Sequence, residues 1–304
     1  MDSVILGISA GETTSLDLSD ALCQIFSSIG EPDGIYGCGS VLVSDDQRCT
    51  DMHLREQEWA QSASASMCSL RSSTSSASAA HSLTQSLIQM NLLEVAHAFS
   101  TSERKTNSED YYETALMLSK WDVDVAKSED GINAPFYQNI YRSCSALHQG
   151  NHPASIAHKN NAIEGLFRDI EILPQSAYSL TPVLAKMKMI HDLDVVSRLL
   201  VEDSSLSDWD PLLREWKDDY DLFASQDFFL VQNVFLLKST LLRTARDFEL
   251  RRQSTKQNDD SESLTQTLAR EDAKLTFRFC KVARLKGKFM RLTATSLSAL
   301  ILQT

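Results

Sequence analysis

Apolar residues recur at intervals of three and four along most of this chain, and strict alternation of apolar and polar residues is absent, so the pattern predicts helices throughout. Between Ser15 and Ile29 the positions Leu18, Leu22, Ile25, Phe26 and Ile29 fall on one helical face, and Gly30 stops them. The next stretch, EPDGIYGCGS, concentrates Pro32, Gly34, Gly37 and Gly39 and reads as a turn. A polar helix is expected around Leu54 to Ala65. Residues 62–82 are rich in Ser and Ala and nearly free of large apolar groups, which predicts a linker or frayed helix ends.

The pattern then resumes with Leu83, Leu87, Met90, Leu93, Ala96 and Phe99, and again with Tyr112, Ala115, Leu116 and Trp121 after the polar break TSERKTNSED. Thr181 before Pro182 and Asp210 before Pro211 read as capping residues, each followed by proline at the first helical position. Asp227 to Leu250 predicts the longest helix, with Leu230, Val234, Leu237, Leu241, Ala245 and Phe248 on its stripe. A polar loop at 251–263 separates it from a further helix, Leu264 to Lys286. The last residues open another hairpin about Gly287, so the array is expected to break off within a repeat. The whole describes an all-α solenoid of antiparallel helix pairs: N-terminal helices and turn at 1–61, linker at 62–82, and a helical-repeat array at 83–304.

Composition supports that reading. Only 10 Gly and 6 Pro in 304 residues leave too few turn makers for an all-β fold. The formal net charge of −12 repels phosphate backbones, which argues against direct nucleic-acid binding. The six scattered cysteines lack the density of a secreted disulfide framework and read as reduced thiols. The start has no basic region before its short apolar stretch, and FFLVQNVFLL is too short and amide-rich to span a bilayer; neither a leader nor a membrane span is expected.

The strings SIGEPDGIYGCG (28–39), HLREQEW (53–59), YYETALMLSKWD (111–122), FYQNIYRSCSAL (136–147) and SAYSLTPVLAKM (176–187), in that order, resemble the FAT region of ATM-like (ataxia-telangiectasia-mutated-like) members of the phosphatidylinositol 3-kinase-related serine/threonine kinases. Trp216, LFASQDFFLVQNVFLLKSTLL (222–242) and CKVARLKGKFMRLTATSLSAL (280–300) continue the series, although a glutamate-proline pair common in the family is missing. The resemblance covers residues 26–300 apart from 62–82. It implies a solenoid that braces a kinase domain lying further along a parent chain, relays partner binding, contributes to dimer contacts, and acts in the nucleus in DNA double-strand-break signalling and repair. The rival expectation is a stand-alone helical-repeat adaptor for peptides or other proteins.

No constellation for catalysis is recognisable, and no cofactor, metal or small-molecule substrate is expected. GIYGCG follows a helix and a turn instead of opening a phosphate-binding loop after a strand. Asp247-Phe248-Glu249 lies in a helical pattern and lacks the glycine of a kinase metal motif. Cys38, Cys49 and His53 have irregular spacing and no fourth ligand. His148 and His152 are separated by Gly150, which predicts a surface loop. Trp59, Trp121, Trp209 and Trp216 fit interhelical core. The candidate positions are therefore structural or binding ones: the turn Gly30, Pro32, Gly34, Gly37 and Gly39, and a basic stripe of Arg270, Lys274, Arg278, Lys281, Arg284 and Lys288. The stripe reads either as a solvated helix face or as a docking surface for an acidic neighbour.

Overall fold

The computed structural model describes residues 58–72, 77–90, 92–102, 108–121, 134–172, 177–202, 205–225, 228–253 and 260–285. Ten helices and no strand lie among the described residues. They are α1 (Trp59–Ser72), α2 (Ala77–Gln89), α3 (Leu93–Ser102), α4 (Ser108–Met117), α5 (Phe136–His148), α6 (His152–Ile172), α7 (Ala177–Val201), α8 (Leu206–Ser225), α9 (Phe228–Gln253) and α10 (Asp260–Leu285). Successive helices pack on one another, as expected of a helical-repeat array. The expected N-terminal helix, the glycine turn at 30–39, Cys38, Cys49, His53 and the final hairpin lie outside the described residues.

Each helix must bury its apolar stripe against a neighbour, and α9 does so against several. It packs on α4, α5, α7, α8 and α10, with Val234, Leu237, Leu241, Leu242 and Ala245 all buried. The predicted stripe is thus real, but α9 shares its 26-residue length with α10. Two apolar clusters result. The larger joins α4 to α10, and the smaller joins α1 to α4 and receives Leu236 from α9.

The expected linker at 62–82 is overturned, because α1 and α2 run through most of it and pack together. Small side chains let the helices approach closely, and the hydroxyls are satisfied internally. Ser66, Thr84 and Ser86 donate to the carbonyls of Ser62, Ala80 and Ser82, and the Ser62 and Ser86 hydroxyls are hydrogen-bonded to each other at 2.9 Å. Ser62, Ser66 and Ser86 are fully buried.

The two proline boundaries also move. Pro182 and Pro211 lie inside α7 and α8, each at the sixth helical position. Proline there removes one intrahelical hydrogen bond while the rest of the turn continues, so the helix begins a turn earlier. The cap of α8 is Ser205, whose N–H donates to Asp208 Oδ2 at 2.8 Å, as in a capping box. Between α5 and α6, Gly150 takes φ +77° and closes α5, and Asn151 accepts from the N–H of Ala154 to start α6. The His148–His152 turn is as the sequence predicts.

Candidate functional site

Two buried polar clusters and one apolar groove stand out among the described residues. The first cluster lies where α7, α8 and α9 meet. Lys238 interrupts the apolar run of α9 and is 1% exposed. Its ammonium donates to Asp219 Oδ2 at 2.6 Å, lies 3.7 Å from Asp192 Oδ2, and sits 5.2 Å from the Trp216 ring centre. Asp192, fully buried on α7, accepts the Trp216 indole N–H at 3.0 Å. Lys188 then bridges Asp192 at 3.3 Å, Asp219 at 3.0 Å and Glu215 at 2.5 Å.

Burial moves Lys238 down and Asp192 up, each opposed by its partners of opposite charge. Burial also lowers Lys188, but its carboxylate neighbours outweigh that and raise it. His191, Asp192 and Glu215 come close enough together to hold a cation. The Lys188 ammonium already contacts both of those carboxylates, so the donor set fits a lysine and not a metal. The arrangement ties three helices together.

The second cluster joins α2, α4, α5 and α9. His81 Nδ1 meets the Asp110 carboxylate at 2.9 Å, and Gln85 Nε2 donates to Asp110 Oδ1 and Glu113 Oε2. Asn233 Nδ2 donates to Glu113 Oε1 at 3.0 Å and to the Tyr137 hydroxyl at 2.6 Å. Burial, reinforced by Asp110, pushes Glu113 up to about 7. The hydrogen bond to Asp110 raises His81 against its burial. A carboxyl titrating near neutrality could act as a general base. The cavity beside Glu113 and Tyr137 measures about 10 Å³, room for at most one water and none for a substrate.

Beside these clusters runs an aromatic ladder that links α3, α4 and α5. His97 stacks on Tyr111, Tyr112 meets Tyr141, and Tyr141 meets Trp121, which stacks on His148. The strings at 111–122 and 136–147 therefore pack on each other. Trp209 and Trp216 are core residues, whereas Trp121 is half-buried. Asp247-Phe248-Glu249 is one turn of α9, with Phe248 edge-on to His152. Burial pushes the Cys144 thiol up to about 12, far from a reactive thiolate; Cys68 and Cys280 are thiols too.

The groove, about 330 Å³, runs between α6 and α7. Ile163, Phe167, Ile170 and Met187 line it, and the Lys159–Asp194 ion pair closes one end. Its lining is mostly apolar, with His191, Lys159 and Asp194 as the polar members.

The expected basic stripe falls in part on described residues of α10. Arg270, Lys274 and Lys281 are exposed on α10 and Arg278 is half-buried; the Arg284 side chain and Lys288 lie outside the described residues. The turn residues Gly30, Pro32, Gly34, Gly37 and Gly39 do too. Sequence reasoning missed both buried clusters. The available signals were Lys238 inside an apolar run and the i, i+4 pair Lys188 and Asp192, but neither specifies a partner helix.

Among the described residues, no helix is long and apolar enough to cross a membrane. No family model matches the chain. The chain is similar to the serine-protein kinase ATM of Sus scrofa, 23% identical over 252 residues, which is 79% of this chain. The aligned part spans 8% of that protein's length. The chain thus carries, along most of its length, a distant likeness to a small part of an ATM kinase.

Proposed function

We propose that the chain is a non-catalytic scaffold segment of an ATM-like serine/threonine kinase, corresponding to the front of its FAT region. In this reading it braces the kinase domain, relays partner binding, contributes to dimer contacts and works in the nucleus in double-strand-break signalling. The observation that carries the reading is the likeness to ATM over 79% of the chain, from a segment that folds as stacked helices. The polar clusters support it, because their charged groups join helices to one another. Incubation of the purified chain with ATP, Mg²⁺ and a Ser-Gln peptide is expected to give background phosphate transfer. Robust turnover would refute the scaffold role.

The apolar groove between α6 and α7 favours a second reading, an independent helical-repeat adaptor that takes a peptide or helix in that groove. Sequencing the transcript beyond codon 304 separates the two. A downstream kinase domain supports the first; a stop codon supports the second.

A further inference from the structure

The outer face of α10 combines two features that rarely coexist on a solvated helix. Its inner face is committed to the core through Leu268, Leu275, Phe279 and Val282. On the opposite side, Arg270, Lys274, Phe277 and Lys281 follow at i, i+4, i+7 and i+11, a single stripe roughly 16 Å long. Phe277 is 73% exposed, the most exposed of the large apolar side chains among the described residues. Among the described residues, Lys274 alone of the three exposed cations is shown with a carboxylate partner, Glu271 at 2.6 Å. An aromatic side chain set among cations suits an occupant that brings both carboxylates and apolar groups.

The charge distribution of the chain names that occupant. Residues 1–57 hold ten Asp and Glu against Arg48 and Arg55, and so contain most of the net charge of −12. Within them, Asp17 and Asp20 lie at the start of an apolar series at helical spacing, Leu18, Leu22, Ile25, Phe26 and Ile29. The C-terminal residues 286–304 have the wrong sign, with Lys286, Lys288 and Arg291 and no acid. Phe235 of α9 meets Phe279 of α10 at 5.6 Å, while the next residue, Leu236, packs on the cluster that contains α1. Residues 1–57 precede α1 directly, and a segment of that length can reach ~190 Å at ~3.3 Å per extended residue.

We propose that the face of α10 formed by Arg270, Lys274, Phe277 and Lys281 receives the acidic N-terminal segment, residues 1–57, of the same chain. This holds whether or not the chain belongs to a larger kinase. Carbodiimide coupling on the full chain tests it, because the reagent joins carboxylates to amines only where they touch. Lys274 and Lys281 are expected to be linked to Asp or Glu residues of 1–57 in the monomer band, as read by peptide mass spectrometry. In R270E/F277S, which changes only exposed side chains and keeps both reporter lysines, the yield should fall ~5-fold with an unchanged helical signal. It should fall similarly in 1 M salt, where screening acts within about 3 Å. Links only to Glu271 or other carboxylates of 58–285, links confined to a dimer band, or yields indifferent to both salt and substitution would each overturn the proposal.

Discussion

Single residues carry backbone and protonation demands that composition alone does not display. Gly150 occupies a left-handed conformation, and a methyl added there would meet Phe248 Cε2 at an ordinary 3.8 Å, so the cost of a side chain is conformational and not steric. Gly150→Ala should therefore destabilise the fold by about 1–2 kcal/mol, measured by urea denaturation. Glu113 carries a different demand. Its acid form is favoured in the fold up to about pH 7, whereas the unfolded chain ionises near 4.5. Its contribution to stability is fully present below pH 4.5 and is lost as the pH rises through 7. His81, also raised, acts in the same sense: its contribution is present below 6.5 and is lost as the pH passes its folded value. Urea denaturation between pH 4.5 and 7 should show a flatter pH dependence for Glu113→Gln than for the parent. An unchanged slope would mean that Glu113 is ionised throughout.

At the scale of elements, the pairing of α1 with α2 shows how small residues build an interface. Ser62, Ser66, Ser82, Ser86, Ala79 and Ala80 are all buried there; the Ser66 and Ser86 hydroxyls donate to carbonyls one turn back, and Ser62 Oγ lies against Ser86 Oγ. Ser86→Leu adds apolar area, which a loosely packed linker would accept without penalty. In a close interface it should instead cost about 1–3 kcal/mol through overpacking. Thermal unfolding of the variant decides between the two, and a raised melting temperature would restore the linker view. The proline positions in α7 and α8 teach the complementary lesson. A capping residue beside proline marks the first turns of a helix but does not locate its first residue.

For the whole molecule, α9 sets the cooperativity. A simple solenoid couples each repeat to its neighbours only, yet α9 touches helices from α4 to α10 and contributes to both apolar clusters. The described helices should therefore unfold together. Lys238 sits where this coupling is strongest, and Lys238→Met would leave Asp192 and Asp219 short of a buried counter-charge. A loss of about 3–5 kcal/mol is expected. Tryptophan fluorescence in a Trp59→Phe/Trp121→Phe background, which leaves Trp209 and Trp216 as the reporters, and far-ultraviolet circular dichroism, which reports on all helices, should give coincident urea transitions with and without Lys238→Met. A fluorescence transition that precedes the helical one would show that the α7–α9 junction melts as a separate unit.

The sequence by itself determined that this protein is helical, which faces of α9 and α10 are apolar, and where the α5–α6 turn falls. Those features follow from local periodicity, from glycine and from capping chemistry, which act within one or two turns of the chain. The helical packing of residues 62–82 was not legible, because a hydroxyl bound to the carbonyl one turn back looks, in sequence, the same as one facing water. Nor did local spacing point to the Lys188–Asp192–Lys238 network or the His81–Asp110–Glu113 cluster. Their members stand up to 152 residues apart within a cluster, as His81 and Asn233 do. The packing of α2 on α4, of α7 on α8 and of α9 on all but α2 of these brings them within hydrogen-bonding reach, and the desolvation that moves Glu113 toward neutrality exists only once that packing has excluded water.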